Sequence, residues 1–243
     1  MSLNRLSSAL SAYLLLLLSI YPVASLSAQG VHRQVSLKSL TETIINGKVS
    51  KSKADIYYEF PSGRIITMNT EPEKYVYIAN TLGEAKIYYP AKNVVVLRND
   101  ATFSARNNNL YYFFANRVND LGLQDSDFKS SSVKQEESYT ITTWQAPVKL
   151  LAQVDKIDLV HENMLPVYSE YRNTKGAITL KVYYSDFRKI YESMVPMRVT
   201  EIIYLNHPDS TIRRTTYSDV RTGSQADRAG FDFTIPTNAR IEK

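Results

Sequence analysis

The side chains that could do chemistry are few and scattered. The three histidines, His32, His161 and His207, sit in unrelated contexts. None shows the i, i+4 pairing or the neighbouring cysteines that hold a zinc or iron ion. His207 precedes Pro208 and reads as part of a turn. Ser130-Ser131-Ser132 offers three hydroxyls, but no G-x-S-x-G elbow turns one into a nucleophile, and the run reads as polar loop. Glu136-Glu137 lie in the same solvated stretch, where no burial tunes a carboxylate into a general acid. Asp155 and Asp158 sit within or beside a strand-like run, facing water or a partner. A glycosidase pair can come from distant strands, so spacing alone leaves one open, yet nothing favours it. No Gly-rich phosphate loop is present. The chain therefore reads as a binding or carrier protein, with no catalytic residue, no metal ligand and no cofactor assigned.

The elements that must position any site begin after an address label. Residues 1–28 carry one positive charge (Arg5), the apolar run Tyr13–Ile20, Pro22 and the small-residue stretch Ala24–Ala28. That order reads as a secretory signal peptide cleaved near Ala28, leaving residues 29–243 as one exported domain. The apolar run is short for a membrane span, and no basic stop signal follows it. The chain has no cysteine, so an exported fold is held without disulfides and has no thiol for a lipid anchor at the cleavage site.

Lys+Arg number 29 and Asp+Glu 24; cutting after Ala28 removes only Arg5, leaving 28 basic against 24 acidic residues. The surplus is mild and spread among acids, unlike the concentrated basic patch of a nucleic-acid binder. The composition's outlier is tyrosine, 18 residues against one tryptophan and eight glycines. Tyrosine favours strands and pairs an apolar body with a polar tip. The plain reading is half-exposed strands; the sharper one is aromatic lining for a ligand groove.

Along the chain, Val31–Leu40 reads as a short helix. From there the period changes to two. Asp55–Phe60, Arg64–Asn69, Lys74–Asn80, Ala85–Tyr89 and Asn93–Asn99 are separated by turn signals at Pro61-Ser62-Gly63, Glu71-Pro72-Glu73, Leu82-Gly83-Glu84 and Pro90. Leu110, Phe114, Val118 and Leu121 then recur at helical spacing, with Asn107–Asn109 to cap the start and Gly122 the end. Asp125–Ser138 is polar and reads as loop. Strands resume at Tyr139–Trp144, Lys156–Glu162, Pro166–Arg172, Ile178–Tyr184, Arg198–Leu205, Thr211–Asp219 and Phe231–Ile235. The expectation is a mainly β single domain of about eleven strands and one prominent helix, its antiparallel sheet curling over its own apolar face.

This order of elements resembles the LolA-like lipoprotein carriers of the bacterial periplasm. The resemblance rests on Glu59-Phe60-Pro61, the strand Arg64–Asn69, the turn Glu71-Pro72, the strand Lys74–Gly83, Ile87-Tyr88-Tyr89-Pro90 and the tail Phe231–Pro236. It covers nearly all of residues 29–243; each motif is short, and their order carries the case. The resemblance implies an incomplete β-barrel with a helical lid and a cavity for lipoprotein acyl chains. It implies passage across the periplasm, from an inner-membrane lipoprotein-releasing complex to an outer-membrane acceptor, by a monomer with no nucleic-acid partner. One position departs: the family's arginine before the proline, tied to lid closure, is Phe60 here, with Arg64 beyond the turn.

On this reading the lipid-binding cavity is lined by Ile56, Tyr58, Phe60, Ile66, Met68, Val76, Ile78, Ile87 and Tyr89, under a lid of Leu110, Phe114 and Val118. For each residue an ordinary packed core is the plainer alternative. Alternation does not say which face is concave. Two other functions stay in view: a periplasmic sensor of lipoproteins built on the same fold, and a glycan-binding β-sandwich using tyrosines as stacking platforms.

Overall fold

The computed structural model describes residues 33–60, 62–206 and 209–242. The signal-peptide expectation for 1–28, His32, Pro61 and His207 lie outside the described residues. Among the described residues fourteen strands form one sheet. The first half is a meander: β1 (Gln34–Ile45), β2 (Lys48–Glu59), β3 (Arg64–Glu71), β4 (Tyr75–Ala79), β5 (Glu84–Tyr89) and β6 (Val94–Asn99). The second half repeats the plan with β7 (Lys129–Glu136), β8 (Tyr139–Gln145), β9 (Lys156–Glu162), β10 (Leu165–Arg172), β11 (Ile178–Ile190), β12 (Ser193–Asn206) and β13 (Asp209–Thr222). β1 pairs with β13 and joins the halves; β14 (Arg240–Glu242) adds in parallel beside β6. Among the described residues the two edges, β14 and β7, do not pair, so the barrel is incomplete.

The local chemistry explains the meander. β1 and β2 meet through Asn46-Gly47, both at positive φ (50° and 74°). Asn-Gly is the sequence that a two-residue hairpin turn of matching twist demands. Along β2, Ile56, Tyr57 and Tyr58 are all buried. A strand covered on one face alternates; this run does not, because both faces are covered there. Ile56 and Tyr58 face the concave side and pack with Val35, Leu37, Ile65, Phe113, Val195 and Val199, in a cluster that draws together both halves of the sheet. Tyr57 faces the convex side with Ile66, Val76, Tyr88 and Val95, under Phe231, Phe233 and Ile235 of the C-terminal segment.

The chain crosses from β6 to β7 through the concave side. This crossover, residues 100–128, holds short 3-10 turns and one α-helix, α1 (Tyr111–Phe114). It is tied to both halves: the Tyr77 hydroxyl on β4 donates to the Phe103 carbonyl (2.5 Å), and the His161 ring Nε2–H on β9 donates to the Val118 carbonyl (2.9 Å).

The helical stripe at Leu110–Leu121 is corrected in form. α1 spans four residues because Asn116 takes the left-handed conformation (φ 52°). The Asn116 N–H donates to the Phe113 carbonyl and the Arg117 N–H to the Tyr112 carbonyl, the two bonds of a Schellman stop. Leu110 and Phe114 still reach the core, and Val118 and Leu121 pack against it from non-helical backbone. Gly122 (φ 80°) fills a place where a Cβ would lie 2.0 Å from the Tyr112 ring.

Three further expectations change. The segment expected as a helix at Val31–Leu40 is strand from Gln34, its residues alternating into the concave core. The polar segment Asp125–Ser138 contains β7, an edge strand whose eight residues are all exposed; it pairs with β8 through its backbone ladder and the polar side chains of Ser131 and Gln135, and needs no apolar pattern. Phe231–Ile235 is not a strand but an irregular strap laid on the convex face. The single sheet also sets aside the β-sandwich, which needs two.

Candidate functional site

The concave face divides lengthwise. At the end where β2 turns into β3, α1 packs down and an aromatic cluster forms. Tyr58 stacks on Phe114 (centroids 4.7 Å, 23°), and Phe60 meets Phe114 and Tyr191 edge to face (5.6 and 5.3 Å). Above this cluster a cleft of about 750 Å³ opens between the end of β2, α1 and the β11–β12 turn. Its rim is pinned by Arg33, whose Nη2 donates to Glu192 (2.8 Å) and whose guanidinium lies 5.6 Å from the Tyr191 ring centre.

Toward the other end the crossover leaves the sheet uncovered in two places. One compartment of about 500 Å³ is lined by Ile65, Tyr75, Tyr77, Ile87 and Tyr89, with Ser104 and Ala105 of the crossover as its roof. Its neighbour, about 450 Å³, is lined by Thr41, Thr43, Ser52, Thr215, Glu201 and Arg213. Thr67, Asn107 and Asn108 line both compartments. Volumes of this size suit small-molecule ligands, for which roughly 300–1,000 Å³ is usual. Burial pushes the Tyr58 and Tyr217 hydroxyls well above the ordinary phenol range, so these concave-face phenols stay neutral at physiological pH.

No family model matches the sequence, and no curated protein matches it. Solved structures do share the architecture. A DUF1329 family protein from Desulfovibrio piger superposes with a TM-score of 0.58 at 12% identity, covering 84% of this chain and 91% of that one. An outer membrane lipoprotein-sorting protein domain from Vibrio parahaemolyticus gives 0.56 at 12%, with the same coverages of 84% and 91%. A LolA superfamily protein from Nitrosomonas europaea gives 0.52 at 12%, covering 82% and 90%. The chain has a LolA-like fold.

Within this LolA-like barrel the expected cavity residues separate. Ile56, Tyr58 and Phe60 lie on the concave side with Leu110, Phe114 and Val118, and Ile87 and Tyr89 line the apolar compartment. Ile66, Met68, Val76 and Ile78 do not. They belong to the convex cluster under the C-terminal strap, and their assignment to the cavity is corrected. The physical cause is register. Tyr58 pairs with Ile65, not Ile66, so the inward set changes from even to odd numbers between β2 and β3. Their inward neighbours, Ile65, Thr67 and Tyr77, escaped the sequence reading.

Arg64 lies 3.5 Å from Glu59 and borders the convex cleft beside Ile78 and Phe233, away from the crossover. α1 is held by the aromatic contacts of Phe60 instead.

Among the described residues no group of three or more metal-ligating side chains occurs, and no helix is long and apolar enough to cross a membrane. Of the residues weighed for chemistry, His161 is taken up by the Val118 carbonyl, and Asp158 accepts from the Thr143 hydroxyl (2.7 Å). Asp155 accepts from the Gln145 amide (2.6 Å), and Ser130–Ser132 and Glu136 lie on the exposed β7.

Proposed function

We propose that this protein is a periplasmic carrier that shelters acyl chains on the concave face of its LolA-like barrel and works without a chemical reaction. One observation carries the reading: the apolar compartment of Ile65, Tyr75, Tyr77, Ile87 and Tyr89, roofed by a crossover whose α1 is only four residues long. Acyl chains exposed to water cost about 0.8 kcal/mol per CH₂, so a carrier must cover them. It must also let go. A roof of short turns, tied to the sheet by a handful of side chains, opens at lower cost than a long packed helix. The cargo class is a lipoprotein or another acylated molecule. Its route runs from an inner-membrane releasing complex to an outer-membrane acceptor, with residues 1–28 as the export signal. The fold of the Vibrio lipoprotein-sorting domain supports this choice of cargo.

The test is direct. The protein is purified from detergent-free lysate and bound acyl chains are sought by mass spectrometry. Their recovery supports the carrier. A protein that comes out empty, and that extracts no lipoprotein from membrane vesicles, ends it.

A further inference from the structure

The second concave compartment is polar, which a pure acyl-chain cavity has no use for. Its centre is an ion pair between neighbouring strands. Arg213 on β13 donates from Nε and Nη2 to the two carboxylate oxygens of Glu201 on β12 (2.6 and 2.8 Å). Glu201 is buried, while the Arg213 side chain stays 45% exposed to the compartment. Beside the pair, the hydroxyls of Thr41 and Thr215 meet at 2.9 Å across the β1–β13 seam. Arg213 and Glu201 are the only charged residues among those lining this space, and the forked pairing cancels their charges. What remains is a neutral surface of hydroxyl and amide donors and acceptors, continuous with the apolar compartment through Thr67, Asn107 and Asn108.

Resting on the carrier reading, we infer that the two compartments take one ligand lengthwise: an acyl chain in the apolar part and a neutral, hydroxyl- or ester-bearing glycerol head against Thr41, Thr215 and the Arg213–Glu201 pair. An anionic head is disfavoured. Glu201 already neutralises the guanidinium's charge, and a phosphate would lose its hydration to meet a surface with no net charge. A neutral head loses less and regains hydrogen bonds from the hydroxyls. Hydrogen-bonding sites of this kind discriminate sharply, because an ill-matched head leaves buried polar groups unpaired. A free monoacylglycerol and the acylated glycerol at the end of a lipoprotein share this chemistry.

The experiment titrates the purified protein by calorimetry with monooleoylglycerol, oleoyl lysophosphatidate and oleate, each below its aggregation threshold, and with a synthetic diacylglyceryl-cysteine peptide. The expected result is that the glycerol ligands bind at least about tenfold more tightly than the two anions, a difference of about 1.4 kcal/mol. Whichever of monoacylglycerol and peptide binds more tightly names the source of the head. Glu201→Gln frees the Arg213 charge and is expected to reverse the order, with lysophosphatidate gaining about tenfold. Thr41→Val with Thr215→Val keeps the shape, removes the hydroxyls, and is expected to weaken the glycerol ligands while leaving oleate unchanged. Circular dichroism of each variant checks the fold. Lysophosphatidate binding more tightly than monooleoylglycerol to the unaltered protein overturns the inference. So does equal binding of all ligands, which leaves the carrier reading intact. Failure of every ligand to bind overturns both.

Discussion

Phe60 and Phe114 meet edge to face with ring centroids 5.6 Å apart, joining the first residue after β2 to the end of α1. The contact ties the crossover to the sheet, and the tie is apolar. It should therefore respond to side-chain truncation and be indifferent to salt. Phe60→Ala removes an aromatic partner of Tyr58, Phe114 and Tyr191 at once. The expected cost is about 3 kcal/mol, at the lower end for aromatic-to-alanine changes because Phe60 is only half-buried. Hydrogen exchange should accelerate at residues 110–118 and remain slow in β11–β13. Equal acceleration throughout contradicts a local tie.

A second tie is ionic. Arg117 donates from Nη1 and Nη2 to the Asp125 carboxylate (2.5 and 3.0 Å), closing the loop after α1. The Arg117 hydrogen bonds hold the Asp125 carboxyl below its ordinary value of 3.8. A carboxyl depressed in the folded state stabilises above its unfolded value, and that contribution fades as pH falls through the lower, folded value. The pair is partly solvated, so the effect is local. Exchange at residues 115–127 is expected to rise on acidification below about pH 4, and Asp125→Asn should remove the dependence by leaving the loop loose at every pH.

The strap on the convex face depends on one glycine. A Cβ at Gly230 would lie 2.2 Å from Cδ2 of Tyr57. Tyr57 is buried in its cluster, so its ring has no room to retreat. Gly230→Ala is expected to cost about 1–3 kcal/mol as an overpacked contact. Limited proteolysis should then cut residues 226–239 early. Unchanged resistance means the strap accommodates the methyl group.

The two faces make opposite predictions for acyl binding. Ile87→Asp sets a carboxylate in the apolar compartment and is expected to abolish acyl-chain binding while the β-sheet circular-dichroism signal persists. Met68→Ser acts on the convex face, where the loss should appear as a lower melting temperature with binding retained. Reversal of the two outcomes places the ligand on the convex side.

Much of this fold is legible in the sequence, strand by strand. Arg64–Asn69, Ala85–Tyr89 and Lys156–Glu162 alternate or run apolar between clear turn residues, and they fall within or on β3, β5 and β9. The faces are less legible. Ile66 and Ile65 are equally apolar neighbours, and only the four residues between Glu59 and Arg64 set which of them turns inward. A one-residue change there exchanges the whole face, and no local property of β3 records it. β4 inherits the same phase, so Val76 and Ile78 follow Ile66 outward. The helical stripe misleads differently. Leu110, Phe114 and Val118 are spaced for a helix, yet Asn116 tolerates the left-handed conformation and ends it. The Arg213–Glu201 pair left no signal, since exposed strands commonly carry both charges and their partnership depends on the β12–β13 register.

The seam between β1 and β13 has a consequence in time. β1 is the first described strand and β13 nearly the last, with the registered pair Thr41–Thr215 separated by 174 positions. Contacts so distant in sequence form late, because closing a long loop is entropically costly. As the chain emerges, each meander can assemble from neighbouring hairpins, but β1 waits with a bare edge until β13 arrives. The seam also carries Thr41 and Thr215, so the polar compartment takes shape only at that final closure, after β3–β5 and the crossover have already lined the apolar one. Until then the bare edge of β1 is where the chain is most exposed to mispairing with another chain.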